Sequence, residues 1–150
     1  MKLSEFIEKY GDYEVTDELI EMLKPKGDWI PKMNDKYWEI DSCGEVVYEL
    51  WDNCSYDHFM LGKRNVYRTE EEAKFALDMY HFCKERSFEP DWEDENQKKY
   101  FLSLEEKAVV ADYLYFYRHF LPFYYPTKEA AQEIINKYSF EELEKYYGRV

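Results

Sequence analysis

Residues 65–80, NVYRTEEEAKFALDMY, return in weaker form as residues 122–138, PFYYPTKEAAQEIINKY. Thr69 followed by Glu72 forms a capping box, and three consecutive glutamates stand at the positive end of the helix dipole. Thr127 occupies the same place in the second copy, at an offset of 58 residues (127 − 69 = 58). The repetition predicts two copies of one structural unit, each ending in a helix that begins at its Thr.

Both predicted helices carry apolar residues at the spacing i, i+3, i+4, i+7, which places them on one face. They are Ala73, Ala76, Leu77 and Tyr80 in the first helix, and Ala131, Ile134, Ile135 and Tyr138 in the second. We expect both stripes to be buried against a sheet.

The residues before each helix alternate between apolar and polar side chains, as β-strands do. In KYWEIDSCGEVVYELW (36–51) the DSCG turn separates two alternating runs, and RNVYRT (64–69) supplies a third. The same order precedes the second helix, in KKYFLSL (98–104), AVVADYLYFY (108–117) and PFYY (122–125). Each copy is therefore predicted to form a β-β-β-α unit.

These elements predict an α+β fold with two repeated β-β-β-α units, short N-terminal helices and a C-terminal helix. One unit cannot cover both its sheet and its helix, so we expect the two to share a core within one compact domain. The predicted parts are N-terminal helices and a linker over 1–35, a first unit over 36–88, an acidic connector over 89–97, and a second unit with the C-terminal helix over 98–150.

The chain is strongly acidic, with a formal net charge of −13 and a pI near 4.7. A phosphate backbone would be repelled, which disfavours direct binding of nucleic acid. A basic protein whose own work is to hold nucleic acid would be attracted. Ordinary acidic solubility is the alternative explanation of the same charge.

The beginning of the chain lacks the apolar segment and cleavage signal of a secretory leader. No apolar run approaches the roughly 18 residues that a membrane span needs. We therefore expect a protein that stays in the cytoplasm in which it is made. Three cysteines, an odd number, are expected to be reduced thiols there.

The sequence contains no nucleophile elbow, phosphate-binding glycine loop, dinucleotide motif or HExxH. The best metal-ligand set is Cys54, His58, His81 and Cys83, but neither pair has the usual knuckle spacing. Since Cys83 falls near the end of an apolar helix face, we expect a packed thiol there, and neither a metal nor a cofactor.

Acid–base catalysis requires two carboxylates at a defined separation in a pocket. Asp41, Asp52 and Asp57 flank the first hairpin, but nothing in their spacing sets such a separation. We expect a binding protein with no catalytic residues rather than an enzyme.

Tyrosines form the most unusual aromatic feature of the second unit. Tyr113, Tyr115 and Tyr117 share one face of a predicted strand, and Tyr124 follows shortly after. This arrangement suits an aromatic patch for a base or a protein partner. A packed face of the second sheet is the alternative.

Acidic residues are densest in the connector and at the start of the first repeated helix. We expect these carboxylates to form a partner-binding surface, whose members are Glu89, Asp91, Glu93, Asp94, Glu95, Glu70 and Glu71.

Three stretches, KYWEIDSCGEVVYELWDN (36–53), NVYRTEEEAKFAL (65–77) and PDWEDENQKKYFLSL (90–104), resemble small accessory proteins of bacteriophages and prophages, mostly of Gram-positive bacteria. The resemblance covers about residues 36–147 and is most specific at 65–73 and 94–100. It implies a phage setting, in which small acidic proteins often act against host defences, but it carries over no catalytic residue.

Charge and resemblance together predict a phage-encoded inhibitor of a host defence protein, of the anti-CRISPR or anti-restriction type. Its partner would be a basic, nucleic-acid-binding host protein, to which the carboxylates of this chain would present phosphate-like negative charge. The alternative is a binder or sponge for a signalling nucleotide that uses an aromatic pocket. The oligomeric state is left open, a dimer included.

Overall fold

A computed structural model of the chain describes residues 29–112 and 122–148. Within them the fold is α+β, with four helices and two antiparallel sheets of two strands each. The elements are, in chain order, β1 (Lys36–Ile40), β2 (Val46–Leu50), α1 (Ser55–Gly62), α2 (Glu70–Arg86), β3 (Lys99–Ser103), β4 (Ala108–Asp112), α3 (Lys128–Lys137) and α4 (Phe140–Tyr146).

The predicted first hairpin is present, with Trp38 of β1 opposite Tyr48 of β2. Its turn is held by Asp41, whose Oδ1 accepts hydrogen bonds from the backbone N–H groups of Cys43 and Glu45, both at 2.9 Å. Gly44 has φ +80°, a left-handed conformation that glycine adopts without strain. The second hairpin pairs β3 with β4 in the same antiparallel manner.

The two predicted third strands do not form as strands. The first is reduced to one antiparallel bridge, Trp38 with Tyr67, and the second to two isolated bridges, Tyr124 with Phe88 and Tyr125 with Tyr100. The Trp38–Tyr67 and Tyr100–Tyr125 bridges each carry two backbone hydrogen bonds of 2.8–3.1 Å. The prediction of full β-β-β-α units is therefore not confirmed, because the chain turns into the helix cap only two residues after Tyr67 and after Tyr125.

The side-chain amide of Asn65 forms hydrogen bonds with β1 where the predicted third strand would have paired with it. The Asn65 Nδ2 donates to the Ile40 carbonyl at 2.7 Å, and Asn65 Oδ1 accepts from the Ile40 N–H at 3.0 Å. Together with the Trp38–Tyr67 bridge, these bonds close the outer edge of β1 from Trp38 to Ile40. A buried asparagine thus satisfies backbone groups that would otherwise lose their hydrogen bonds.

Both helix starts lie where the sequence predicts them. Thr69 caps α2, where its Oγ1 accepts the Glu72 N–H at 3.1 Å, and Thr127 caps α3 by accepting the Ala130 N–H at 3.1 Å. Ser139 and Glu142 form the predicted capping box of α4. The three predicted N-caps are therefore confirmed, whereas the reciprocal half of the capping box predicted at Thr69 is not, because the Glu72 carboxylate accepts the N–H of Arg68 at 3.1 Å.

The buried face of α2 is rotated from the predicted stripe. Its buried residues include Met79 and Cys83, whereas Leu77 and Tyr80 are only half-buried at the edge of the core. Because α2 packs against the first hairpin and against α3, its buried arc is wider than a single sheet contact requires. In α3, Ala131 and Ile134 are buried as expected.

Removing one cap should destabilise the protein measurably. Thr69→Ala is expected to lower the free energy of unfolding by about 1 kcal/mol, because the N–H of Glu72 loses its acceptor. Thr127→Ala is the matched variant, since its cap has the same length, and a similar loss is expected. Urea unfolding measures both, and a Thr69→Ala protein as stable as the parent would contradict the assignment of this cap.

Side chains from both halves of the chain form one hydrophobic core. Tyr67 and Ala76 from the first half join Tyr125, Ile134 and Leu143 from the second, all nearly inaccessible to solvent. A second, smaller cluster lies between the first hairpin and α1 and contains Tyr37, Trp51, Met60 and Val66. Helix α1 was not predicted from the sequence; its side chains hydrogen-bond to β1, while α2 packs against the same hairpin.

Two predicted regions lie outside the described residues, the N-terminal helices before Trp29 and the tyrosine-rich end of the second hairpin at 113–121. Among the described residues, no helix has the length and apolar character needed to span a bilayer.

Candidate functional site

The acidic connector, residues 89–97, is an ordered loop anchored to the second half of the fold. Pro90 is buried, and the ring of Trp92 packs edge-on against Tyr124 with the centroids 5.1 Å apart. Lys99 lies beneath the loop, almost fully buried, and its Nζ donates to the backbone carbonyls of Gln97 at 3.0 Å and Asp94 at 3.5 Å. The loop therefore has a defined conformation and is not a loose acidic linker.

Short hydrogen bonds within the connector fix its turns. Asp91 Oδ1 accepts the N–H of Glu93 at 3.0 Å, and Asp94 Oδ1 accepts the N–H of Asn96 at 2.9 Å. The side chain of Gln97 accepts the N–H of Asp91 at 2.7 Å and so closes the loop.

All five connector carboxylates predicted to bind a partner are exposed. Within the described part of the chain none of them makes an ion pair; they are Glu89, Asp91, Glu93, Asp94 and Glu95. Exposed like charges on an ordered loop present a concentrated negative potential to solvent.

The other predicted acidic residues lie apart from the connector. Glu70 and Glu71 lie at the N-terminus of α2, whereas the connector follows its C-terminus. A helix of 17 residues separates the two ends by about 25 Å. Glu70 is paired with Lys74, and Glu72 with Lys145 at 2.9 Å. The structure thus places the two acidic groups at opposite ends of α2 and does not join them.

The predicted aromatic patch is only partly visible. Tyr124 is buried, between the rings of Trp92 and Phe101. Tyr113, Tyr115 and Tyr117 lie outside the described residues. Tyr124 therefore serves as a packing residue beneath the connector, and the patch as a whole stays a prediction.

The four cysteine and histidine side chains considered as a metal set are not gathered together. Cys83 is buried in the core, where burial raises the pKa of its thiol to about 11, whereas Cys54 is exposed at the start of α1. Among the described residues, one group of three donors lies within metal-binding reach, Asp52, Cys54 and Asp57. A hydrogen bond to Asp52 raises the pKa of the Cys54 thiol, which disfavours the thiolate that a metal requires.

An open groove of about 350 Å³ lies between α2 and α4. Phe75 and Tyr146 form its apolar part, with Glu141, Glu142 and Lys145 around them. The cation is already paired with Glu72, and the two carboxylates would repel phosphates. The positive charge that lines this groove, Lys145, is therefore already neutralised, which disfavours the binding of a signalling nucleotide there.

A polar cluster, buried except for the half-exposed Tyr56, joins β1 to α1. It is made of Tyr37 and Glu39 from β1 and of Tyr56 and Asp57 from α1, and the pairs cross: Tyr37 donates to Asp57 at 3.0 Å, and Tyr56 donates to Glu39 at 2.5 Å. Asp57 also accepts the backbone N–H groups of Asp52 and Cys54. Both carboxylates are 2% exposed, and Glu39 Oε2 has no hydrogen-bond partner in the described structure.

The pKa values of the two carboxylates of this cluster are shifted in opposite directions. Burial raises the pKa of Glu39, and the negative charges of Glu49 and Asp57 add to the effect, although the Tyr56 hydroxyl opposes it. Burial also disfavours ionised Asp57, but hydrogen bonds from Tyr37 and from Asp52 and Cys54 outweigh it and lower the pKa of Asp57. The hydrogen bond to Glu39 raises the pKa of Tyr56 to about 12.

Glu39 should make folding stability fall as pH rises. Its folded-state pKa is raised, so its contribution is complete below the ordinary carboxyl range and is lost as pH rises through the folded value. Glu39→Gln is expected to remove this dependence and to be relatively more stable at pH 8 than at pH 4. Urea unfolding of both proteins across that range tests it, and parallel pH curves would contradict it.

Sequence reasoning missed this cluster because strand alternation placed Glu39 on the solvent side of β1. The covering helix α1 has only 8 residues, and its N-cap is a cysteine. Asp57, three residues after that cap, was the one available signal, since an acidic N3 residue is part of a capping box.

No protein-family model, no curated protein and no solved structure matches this chain significantly. The resemblance to phage accessory proteins therefore stays a prediction.

Proposed function

We propose that this protein is a phage-encoded acidic binding protein that inhibits a host defence protein, of the anti-CRISPR or anti-restriction type. The connector carboxylates stand in for phosphates and occupy a basic surface on which the host protein holds nucleic acid. The chain binds no nucleic acid itself and catalyses no reaction.

The observation that carries this proposal is the anchored charge of the connector, which forms no ion pair with any residue that the structure describes. Five exposed carboxylates lie on a loop held by buried Lys99, Pro90 and the Trp92–Tyr124 contact. Because the loop is ordered before binding, little conformational entropy is lost when a partner docks. A solubilising charge would need no such anchoring.

We also propose that the two halves of the fold are copies of one ancestral unit. The bridging tyrosines Tyr67 and Tyr125 share the offset of 58 residues that relates the caps Thr69 and Thr127. Ala73 and Ala131, both fully buried, follow the same offset. An experimental structure in which the two hairpin-and-helix halves fail to superpose would overturn this.

A capture experiment with three proteins tests the proposed function. The parent is compared with a connector variant carrying Asp91→Asn, Glu93→Gln, Asp94→Asn and Glu95→Gln, whose amides keep the acceptor oxygens of the two turns. The control variant neutralises four exposed carboxylates elsewhere: Asp78, Glu105, Glu106 and Glu144.

The parent and the control should retain the same basic, nucleic-acid-binding protein from a bacterial lysate, and added DNA or RNA should displace it. The connector variant should lose it. Equal retention by the two variants would refute the connector as the binding surface.

A further inference from the structure

Strand β2 has an open outer edge. Trp38 exchanges both of its backbone hydrogen bonds with Tyr67, so its pairing with Tyr48 is of the non-hydrogen-bonded kind. The N–H and C=O groups of Tyr48 therefore point away from β1, and by alternation those of Val46 and Leu50 do as well. Within residues 29–112 and 122–148 these groups accept and donate no hydrogen bond on that side.

The neighbouring strand shows what a closed edge looks like in this protein. The outward groups of β1 are taken up by Tyr67 and by the side-chain amide of Asn65. Natural sheets often protect an open edge with proline, a bulge or charged side chains; β2, VVYEL, has no proline and no bulge, and its one charged residue is Glu49. With respect to the residues that the structure describes, this edge is available for the addition of another strand.

The side chains along this edge define what a matching strand would carry. Tyr48 and Leu50 lie on one face, 56% and 58% exposed, beside the Lys36 ammonium, which lies 3.9 Å from the Tyr48 ring centroid. Exposed Glu45 and Glu49 lie on the other face. An added strand would thus need apolar side chains on the first face and cations on the second.

Charge decides between the occupants that this edge admits. A second copy of the chain would bring another net charge of −13 and set acidic strands beside each other. An extended segment that alternates apolar and basic residues meets the carboxylates with lysine or arginine and leaves Lys36 facing apolar groups. Charge complementarity therefore favours the basic segment of a partner protein.

We propose that β2 is a docking edge for an extended, alternately apolar and basic segment of a partner protein, which adds as a third strand to the first hairpin. The edge is independent of the connector surface, so either proposal can fail without the other.

A synthetic peptide of alternating valine and lysine, of the length of β2, is the probe. We expect it to bind and to slow hydrogen exchange at the N–H groups of Val46, Tyr48 and Leu50 about tenfold or more. The N–H groups of Val47 and Glu49, already bonded to β1, should change little. N-methylation of the peptide nitrogens that face β2 should abolish binding, whereas methylation of the other nitrogens should preserve it.

Protein variants distinguish strand pairing at the β2 edge from a purely electrostatic attraction of the peptide. Leu50→Pro removes one outward N–H and should weaken peptide binding about five- to tenfold, whereas Leu50→Thr, which keeps the N–H, should lose less. Glu49→Lys should weaken binding, and Glu106→Lys, in the turn of the second hairpin, should not. The connector variant should bind the peptide as the parent does.

Several results would overturn the proposal: no binding, binding without protection of the three outward N–H groups, or peptide binding lost in the connector variant. Protection of those groups in a concentration-dependent dimer without peptide would also overturn it, and would assign the edge to a second copy.

Discussion

Asp57→Ala is expected to lower the free energy of unfolding by about 3 kcal/mol, a large fraction of what holds a domain of this size together. The carboxylate accepts hydrogen bonds from the buried Tyr37 hydroxyl and from the N–H groups of Asp52 and Cys54. Its removal leaves the hydroxyl without an acceptor in a site that water does not reach. It also loosens the start of α1, so both sides of the β1–α1 contact are weakened.

Burial, rather than the number of bonds, should set this effect. Asp41→Ala is the matched control, because Asp41 also accepts two backbone N–H groups but does so in an exposed turn, where water replaces it. We expect the control to lose about 1 kcal/mol. Urea unfolding measures both variants, and equal losses would contradict the role assigned to the cluster.

The stability difference between parent and Asp57→Ala should also depend on pH. Since the folded-state pKa of Asp57 is lowered, its contribution is present above the ordinary carboxyl range and is lost as pH falls through the folded value. The difference should therefore shrink in acid. A difference that stayed constant down to pH 2 would exclude ionised Asp57 as the stabilising species.

Neutralising the connector is expected to lower the rate of association with the captured basic partner by about 10- to 100-fold at low salt. The variant changes the net charge from −13 to −9, since four carboxylates become amides. Its melting temperature should stay near that of the parent, because these side chains are exposed and unpaired among the described residues. Stopped-flow or surface-based kinetics gives the rate.

Two further proteins sharpen this prediction. The control variant at Asp78, Glu105, Glu106 and Glu144 has the same net charge of −9, so a slow rate confined to the connector variant identifies location rather than total charge. Lys99→Met makes the chain more acidic but removes the ammonium that holds two connector carbonyls. Slower association of Lys99→Met, despite its added negative charge, would show that the ordered loop matters.

Helix starts were readable from the sequence because their signals are local. Thr69, Thr127 and Ser139 each act within one helical turn, and the structure has all three caps in place. The hairpins were readable for a similar reason, since alternation and turn residues lie within a few positions. The partners on the outer edges of these hairpins were not predictable, because an asparagine side chain and isolated bridges replace the expected third strands.

The polar cluster between β1 and α1 could not be predicted, because the burial of Glu39 depends on α1, which lies elsewhere in the sequence. Strand alternation alone predicts that Glu39 is exposed to solvent. It is buried instead because α1 packs across the hairpin. The rotation of the α2 face toward Met79 has the same origin, since α3 covers a side of the helix that a lone sheet would leave open. The connector residues could be chosen from the sequence, but their anchoring by Lys99 could not.

The most direct test of the central claim is the association rate of parent and connector variant with the captured partner across a salt series. Exposed charges are screened within about 10 Å at 0.1 M salt, so the parent rate should fall steeply as salt rises, whereas the variant rate should start low and change little. Convergence of the two curves at high salt is the predicted result. If the connector variant associates as fast as the parent at every salt concentration, the carboxylates of the connector do not recruit the partner.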